Sequence, residues 1–268
     1  MRIVVPVKHV PDIHSDRHLT DAGRVARGSD DGTLNELDEN AIEAALQLVE
    51  ALDDGERATS EVVAITVGPA DADAALRKAY QLGVDRAVRL SDDALAGSDV
   101  FGTATAIAAV VRRLEADGPV DLVITGMAAL DGLASVVPVL LAAELGLPQL
   151  TLASKLTLEH GQVEIVRDLE GVTEVLTAPA PAVVSVTDHV NTPRYPNFKL
   201  IMAARTKEIT VWDVAAVGLD ASSVGDAGAR TRVLASAPRP PRPDVQLVTD
   251  KGEGGLALAD FLIRNDLV

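Results

Sequence analysis

Short apolar runs alternate with longer amphipathic segments through the first half of the chain. Arg2 to Val7 is β-rich and reads as a buried first strand. Asp12 to Thr33 is polar and Gly-rich, with turn signals at Asp21–Gly23 and Asp31–Gly32, and reads as a long loop of the functional or mobile kind. Leu37, Ala41, Ala45, Leu48 and Leu52 then recur at helical spacing, with Asp38 placed to cap that helix. Glu61 to Val67 is a second strand closed by Gly68–Pro69. A helix from about Asp71 to Leu82 turns Ala72, Ala75, Leu76 and Ala79 inward and stops at Gly83. Arg86 to Leu90 is a third strand, and Ser98 or Asp99 caps a helix carrying Ala104, Ile107, Ala108, Val111 and Leu114. Val120 to Thr125 is a fourth strand, followed by a small-residue loop, Gly126 to Ala134, and a helix stopped by Gly146 and Pro148.

Beyond that helix the period changes. Ser154 to Leu158, Gln162 to Asp168 and Val172 to Leu176 read as short antiparallel strands turned at His160–Gly161 and Gly171, and Ala182 to Val186 is again a buried strand. Asp188 to Lys207 is polar and turn-rich, and regular pattern fades after Trp212. Ala237 to Asp244 is proline-rich and must be extended, and Leu256 to Ile263 closes the chain as an amphipathic helix. The fold class expected is α/β: a doubly wound, mostly parallel sheet with a small antiparallel hairpin region and an extended C-terminal arm ending in a helix. A floppy tail and an arm that wraps a partner are equal readings of the last segment.

Composition narrows the chemistry. Of 268 residues 47% are apolar but only 2% aromatic, so the core is aliphatic, as suits parallel strands buried on both faces. A formal net charge of −16 argues against nucleic acid and anionic membrane surfaces. The absence of Cys removes disulfides, thiolate nucleophiles and Cys-ligated metals. The apolar run before Lys8 is too short for a signal-peptide core, and no stretch approaches the about 18 apolar residues of a membrane span; the expectation is a cytoplasmic protein without membrane insertion.

In an open parallel sheet, ligands sit beyond the carboxyl ends of the strands near the switch point. Pro6 to Val10, Val67 to Pro69 and Gly126 to Val137 arrive there. The small residues of the last segment allow close backbone approach, and the following helix offers free amides to a phosphate. Asp131 can accept from a ribose or from the loop; the equal alternative is an ordinary turn with Asp131 as a local cap. Neither a Gly-x-Gly-x-x-Gly after the first strand nor a P-loop is present, and there is no Gly-x-Ser-x-Gly elbow. His9, His14, His18, His160 and His189 show no ligand spacing, so no metal site is expected. Asp168 and Glu170 read as a solvated hairpin edge rather than an acid/base pair. No catalytic constellation emerges. Arg194, Lys199, Arg205 and Lys207 gather with Tyr195, Phe198 and Met202, types enriched in interface hot spots, although aromatics there could equally plug the chain's own core.

Taken in order, several motifs resemble the β subunit of electron transfer flavoprotein, the family that includes FixA. They are Val5-Pro6-Val7-Lys8-His9-Val10-Pro11-Asp12, Leu34-Asn35-Glu36-Leu37-Asp38-Glu39-Asn40-Ala41, Val67-Gly68-Pro69 and Gly126-Met127-Ala128-Ala129-Leu130-Asp131-Gly132. The series continues with Arg167-Asp168-Leu169-Glu170-Gly171, Pro181-Ala182-Val183-Val184-Ser185, and Asn191-Thr192-Pro193-Arg194-Tyr195 leading to Ile201-Met202-Ala203. The resemblance covers most of the chain and implies a heterodimer in which an α subunit holds most of a redox-active FAD, while the β subunit buries a structural AMP. Carried over, the AMP contacts are Pro6, Asn35, Glu36, Leu37, Asp38, Val67, Gly126, Met127, Ala128, Asp131, Gly132, Ala134, Ser135, Val136 and Val137. Ile13 and Asp168 fall near the flavin. The partner-recognition segment matches roughly Val186 to Lys207, with Arg194, Tyr195, Phe198, Ile201 and Met202, and Phe198 stands where relatives often have an apolar Leu anchor.

The divisions so implied are a nucleotide-binding core over 1–190, a recognition loop and following helix over 191–219, and a C-terminal arm over 220–268 that packs on the partner subunit. The implied role is a non-enzymatic carrier in fatty acid oxidation, taking electrons from acyl-CoA dehydrogenases to a membrane quinone oxidoreductase. Departures are visible too. Ser135, Val136 and Val137 replace polar residues near the phosphate, and Thr and Gln are absent after Asp131-Gly132, where members holding a second FAD carry them; this favours AMP. Ala203 and Thr206 stand where some relatives have lysines, leaving partner identity open. A stand-alone adenine-nucleotide sensor of the universal-stress type is the alternative from another class, disfavoured by the long region after Leu150.

Overall fold

The computed structural model describes residues 1–15, 17–27, 31–237, 240–241 and 247–268. The chain divides into two compact units, Met1–Leu234 and Ala235–Val268. The expected recognition segment and the start of the expected arm, residues 220–234, belong to the first.

That unit runs β1 (Arg2–Pro6), β2 (His9–Pro11), β3 (Gly32–Leu34), α1 (Glu36–Glu50), α2 (Asp54–Ala58), β4 (Glu61–Val67), α3 (Asp73–Leu82), β5 (Arg86–Leu90) and α4 (Val100–Glu115). It continues with β6 (Leu122–Gly126), α5 (Val137–Leu145), β7 (Gln149–Ala153), β8 (Lys155–Glu159), β9 (Gln162–Leu169), β10 (Val172–Pro179), β11 (Ala182–Val186), α6 (Phe198–Ala204), β12 (Ile209–Trp212) and α7 (Gly225–Gly228). Seven strands form one parallel sheet in the order β12-β5-β4-β1-β6-β11-β7, and β10-β9-β8 form the antiparallel sheet. The chain winds outward from β1 through β4 to β5, then crosses back to β6 on β1's other side. The switch point therefore lies between β1 and β6.

Strand alternation sorts the core into two layers. Ile3, Val5, Val62, Ala64, Leu122 and Ile124 pack against α1 and α3, and Val163 and Ile165 of the hairpin sheet join them. Val4, Val63, Ile65, Val88 and Val123 face α4 and α5. Asp99 caps α4 by accepting the N–H groups of Phe101 and Gly102, each at 3.0 Å, and Gly83 ends α3 at φ +121°.

Several features lie outside the sequence expectation. β7 and β12 are short edge strands with a single neighbour each, so their half-buried residues carry no strong period. The expected loop over Asp12 to Thr33 ends in a ribbon, β2 pairing antiparallel with β3. There His9 lies so close over Gly32 that any Cβ on that glycine would collide with its imidazole. Finally, Asp38 does not cap α1. The N-cap position is Asn35, and Asp38 lies inside the first turn with its carboxylate buried.

The second unit holds α8 (Gly254–Arg264), which has no buried residue and exposes Leu256, Leu258, Phe261 and Ile263. Most of the proline-rich run expected to be extended falls outside the described residues.

Because Ile124 is fully buried in the layer that carries α1, Ile124→Ala should destabilise the fold by about 2–5 kcal/mol in chemical denaturation. Val175→Thr, on the exposed face of β10, should stay within about 0.5 kcal/mol of the parent.

Candidate functional site

The carboxyl ends of β4, β1 and β6, three adjacent strands, bring Val67, Pro6 and Gly126 to one edge of the sheet. The first turn of α1 lies directly on this edge. A Cβ at Gly126 would stand 2.6 Å from the carbonyl oxygen of Leu37 and 2.7 Å from Asp38 Oδ1, so only glycine fits without moving α1.

Asn35 fastens the same junction. Its side chain is fully buried, donates from Nδ2 to the carbonyl of Ala128 at 2.9 Å, and accepts the N–H of Leu130 at 3.0 Å. An asparagine at an N-cap ordinarily closes its own helix, worth about 1 kcal/mol. Here that bond is not made, and both halves of the amide hold the loop after β6 instead. Asp38 accepts the N–H of Lys8 at 2.8 Å. Burial raises its pKa from the ordinary carboxylate range to about 7, although Asn35, Lys8 and the backbone of Gly126 pull the other way.

Asp131 does something different from either sequence reading. Its side chain is 1% exposed and is held by Lys8 Nζ at 2.8 Å and by Arg27. Burial would raise its pKa, but those two cations outweigh it and hold the carboxyl below its ordinary value. It is neither a cap for α5 nor an acceptor left open. Arg17 adds a bond to the carbonyl of Leu130 at 2.9 Å. Arg17 and Arg27 carry no site signal in the sequence, and for Lys8 the signal is its place at the end of a buried strand.

The rest of the loop has a distinct backbone. Leu133 and Ser135 take positive φ, +48° and +54°, at about 1–2 kcal/mol each for residues with a Cβ. Gly132 to Val136 are exposed. Among the described residues, the amides of Ala134, Ser135, Val136 and Val137 have no acceptor, and Val136 offers no side-chain cap to α5. Alternating backbone hand with free N–H groups, at the start of a helix, forms a concavity suited to an anion. Thr125 Oγ1, buried one residue before Gly126, has no partner among the described residues either.

The other expected residues scatter. Met127 is half-buried beside the loop. Glu36 lines a separate cleft of about 520 Å³ with Asp12, Glu39, Asp188 and Asn191. Ile13 is an exposed turn residue after β2. Asp168 lies exposed near the hairpin tip, accepting from Ser154 Oγ at 2.7 Å and Thr173 Oγ1 at 2.8 Å, which hold its pKa low. Tyr195 and Phe198 are exposed, so they do not plug the core. Arg194 is not a free cation: its guanidinium bonds Glu43 and Glu50 of α1.

A doubly wound sheet with free amides beside its switch point defines an α/β protein of the kind that seats a ligand at that crevice. Residues 22–217 match the family model described as the electron transfer flavoprotein domain. The electron transfer flavoprotein subunit beta of Mycobacterium tuberculosis is 40% identical over 267 residues, 99% of each chain. That of Megasphaera elsdenii is 34% identical over 236 residues, 87% of this chain and 86% of the relative. The caffeyl-CoA reductase–Etf complex subunit CarD of Acetobacterium woodii is 31% identical over 249 residues, 93% and 92% of the two chains. The chain belongs to the electron transfer flavoprotein family, as a β subunit. Its role is therefore in flavin-linked electron transfer beside an α subunit, and the universal-stress reading falls away. Among the described residues no helix is long and apolar enough to cross a membrane.

Two outcomes follow from the α1–β6 junction. Gly126→Ala should cost about 1–3 kcal/mol of stability, because the colliding atoms are a helix carbonyl and a buried carboxylate. For Asp38, the folded state keeps its proton to about pH 7, while an unfolded aspartate releases it near 4. That carboxyl therefore weakens the fold progressively as pH rises from about 4 to 7, and no further above. In denaturation at pH 4.5 and pH 8, Asp38→Asn should shift relative to the parent in the variant's favour, by on the order of 3 kcal/mol.

Proposed function

We propose that this chain is the β subunit of a heterodimeric electron carrier. It accepts electrons from acyl-CoA dehydrogenases onto an FAD shared with, and mostly held by, the α subunit, and passes them to a membrane quinone oxidoreductase. The observation that carries the cofactor part is the set of free amides from Ala134 to Val137 at the start of α5. They suit the phosphate of a buried AMP, held by backbone because Ser135, Val136 and Val137 offer little side-chain polarity. The ends of β1 and β4, with Pro6 and Val67, would flank the adenosine part, and Asn35 with Asp38 would support the loop rather than touch the ligand. Asp131, already paired, would keep Lys8 and Arg27 beside the loop as positive charge.

The flavin supplies the one-electron chemistry when bound; the chain's part is to position it and to dock partners. Ile13 and Asp168 are proposed for the flavin side. Phe198, Tyr195, Ile201 and Met202 are proposed for partner contact. The C-terminal segment is proposed to pack on the α subunit, a use that suits the unburied apolar residues of α8. The relative named for a caffeyl-CoA reductase complex supports a CoA-ester oxidoreductase as partner class. The alternative reading of the same site places another FAD where AMP is proposed.

Co-expression with the cognate α subunit should give a yellow 1:1 complex. Denaturing that complex and weighing the released nucleotides should yield one FAD and one AMP. Two FAD would establish the second reading, and recovery of neither adenylate nor flavin would overturn the proposal.

A further inference from the structure

The segment that carries the most exposed aromatic residues is also tightly fastened at its base. Tyr195 is 94% exposed and Phe198 78%. Just before them, Asn191 and Asn40 of α1 exchange bonds: Asn40 Nδ2 donates to the Asn191 carbonyl at 3.1 Å, and Asn191 Nδ2 donates to the Asn40 carbonyl at 3.0 Å. Arg194 then turns four guanidinium N–H groups to α1. Nε and Nη2 donate to the two oxygens of Glu43 at 2.7 and 3.1 Å, while Nη1 and Nη2 donate to the two of Glu50 at 2.6 and 2.9 Å. Its backbone N–H also reaches Glu43, at 3.2 Å. Between the two aromatics, Asn197 caps α6 by accepting the N–H of Leu200 at 2.9 Å, and past them Arg77 donates to the carbonyl of Ala204 at 2.9 Å.

Such an arrangement is unusual for plain surface charge. Glu43 is buried, and burial alone would raise its pKa; the bonds from Arg194 and Gln47 reverse that and hold it ionised. A planar fork that grips two carboxylates fixes direction as well as distance, which an ammonium cannot do. Ordering an exposed loop before it meets a partner removes part of the entropic cost of binding.

We propose that Arg194 is a positioning residue for partner docking: its double fork on Glu43 and Glu50 holds Tyr195 and Phe198 in a preformed attitude for an apolar hollow on the electron-donating flavoenzyme. The proposal rests on reading Val186 to Lys207 as the recognition segment. Arg194 itself does not touch the partner; its charge is already spent on α1.

The test uses the full complex with the α subunit, and an acyl-CoA dehydrogenase from which the unaltered complex takes electrons. Steady-state transfer is measured as a function of complex concentration for Phe198→Ala, Arg194→Lys and the double variant, with amide hydrogen exchange over residues 191–205. Phe198→Ala should raise KM by about tenfold with kcat little changed. Arg194→Lys should do the same with faster exchange in that segment, an unaltered flavin spectrum and an unaltered exchange pattern in the sheet. The double variant should be little worse than either single one, because a disordered anchor has little left to lose. If Phe198→Ala raises KM while Arg194→Lys leaves it alone, the positioning role is wrong and the recognition reading stands. If neither variant moves KM, the recognition reading itself is wrong. Should Arg194→Lys fail to assemble, Glu50→Gln removes only the outer half of the fork and decides the same question on the same two readouts.

Discussion

The whole carboxyl edge of the sheet depends on how closely α1 approaches the end of β6. At Gly126 the helix carbonyl of Leu37 and the carboxylate of Asp38 occupy the space a side chain would need. That approach brings the first turn of α1 within reach of Asn35's two bonds to the loop and of Asp38's bond to Lys8. Loop position, the placing of Lys8 and the attitude of α1 are thus one mechanical unit. The cost is visible in two places: an N-cap bond left unmade and a carboxyl whose burial disfavours its charge. Natural folds tolerate such local losses where a site needs a fixed shape.

The same helix reaches outward. The N-cap and three residues of α1 hold structure that lies far later in the chain: Asn35 holds the loop after β6, and Asn40, Glu43 and Glu50 hold the segment after β11. These polar contacts lie on the surfaces that the apolar stripe of α1, Ala41, Ile42, Ala45 and Leu46, does not use. One face buries the core and the others tie down the loop after β6 and the segment after β11. That division explains why a helix in a charged chain places Asn40 and Glu43 in buried positions: each has its hydrogen-bond partners.

How far this was legible in the sequence depends on the kind of signal. Strands β4 and β11 are legible to the residue because buried parallel strands are nearly continuous aliphatic runs bounded by turn residues. β7 and β12 leave no clear pattern because an edge strand is half-buried and short, and β2 with β3 because three-residue ribbons carry no period. Gly126 was legible as a place of close approach, but not what approaches it. The partners of Asp131 were out of reach for a simple reason. Lys8 and Arg27 come to it from a strand end and a polar loop more than a hundred residues earlier, and spacing along a chain says nothing about such meetings.

Arg194 shows the same limit in reverse. Composition drew it into a set of interface residues with Tyr195 and Phe198, and by type that is a fair reading. The structure separates the three by what each side chain has already done. A guanidinium holding four carboxylate oxygens has little left to offer a partner, whereas the two aromatic rings beside it are exposed. An exposed aromatic gains most from docking when its backbone is already fixed, since its burial is then not offset by ordering the loop. The acidic face of α1 therefore does more than solvate the chain: its carboxylates hold the guanidinium at the base of the segment that exposes Tyr195 and Phe198.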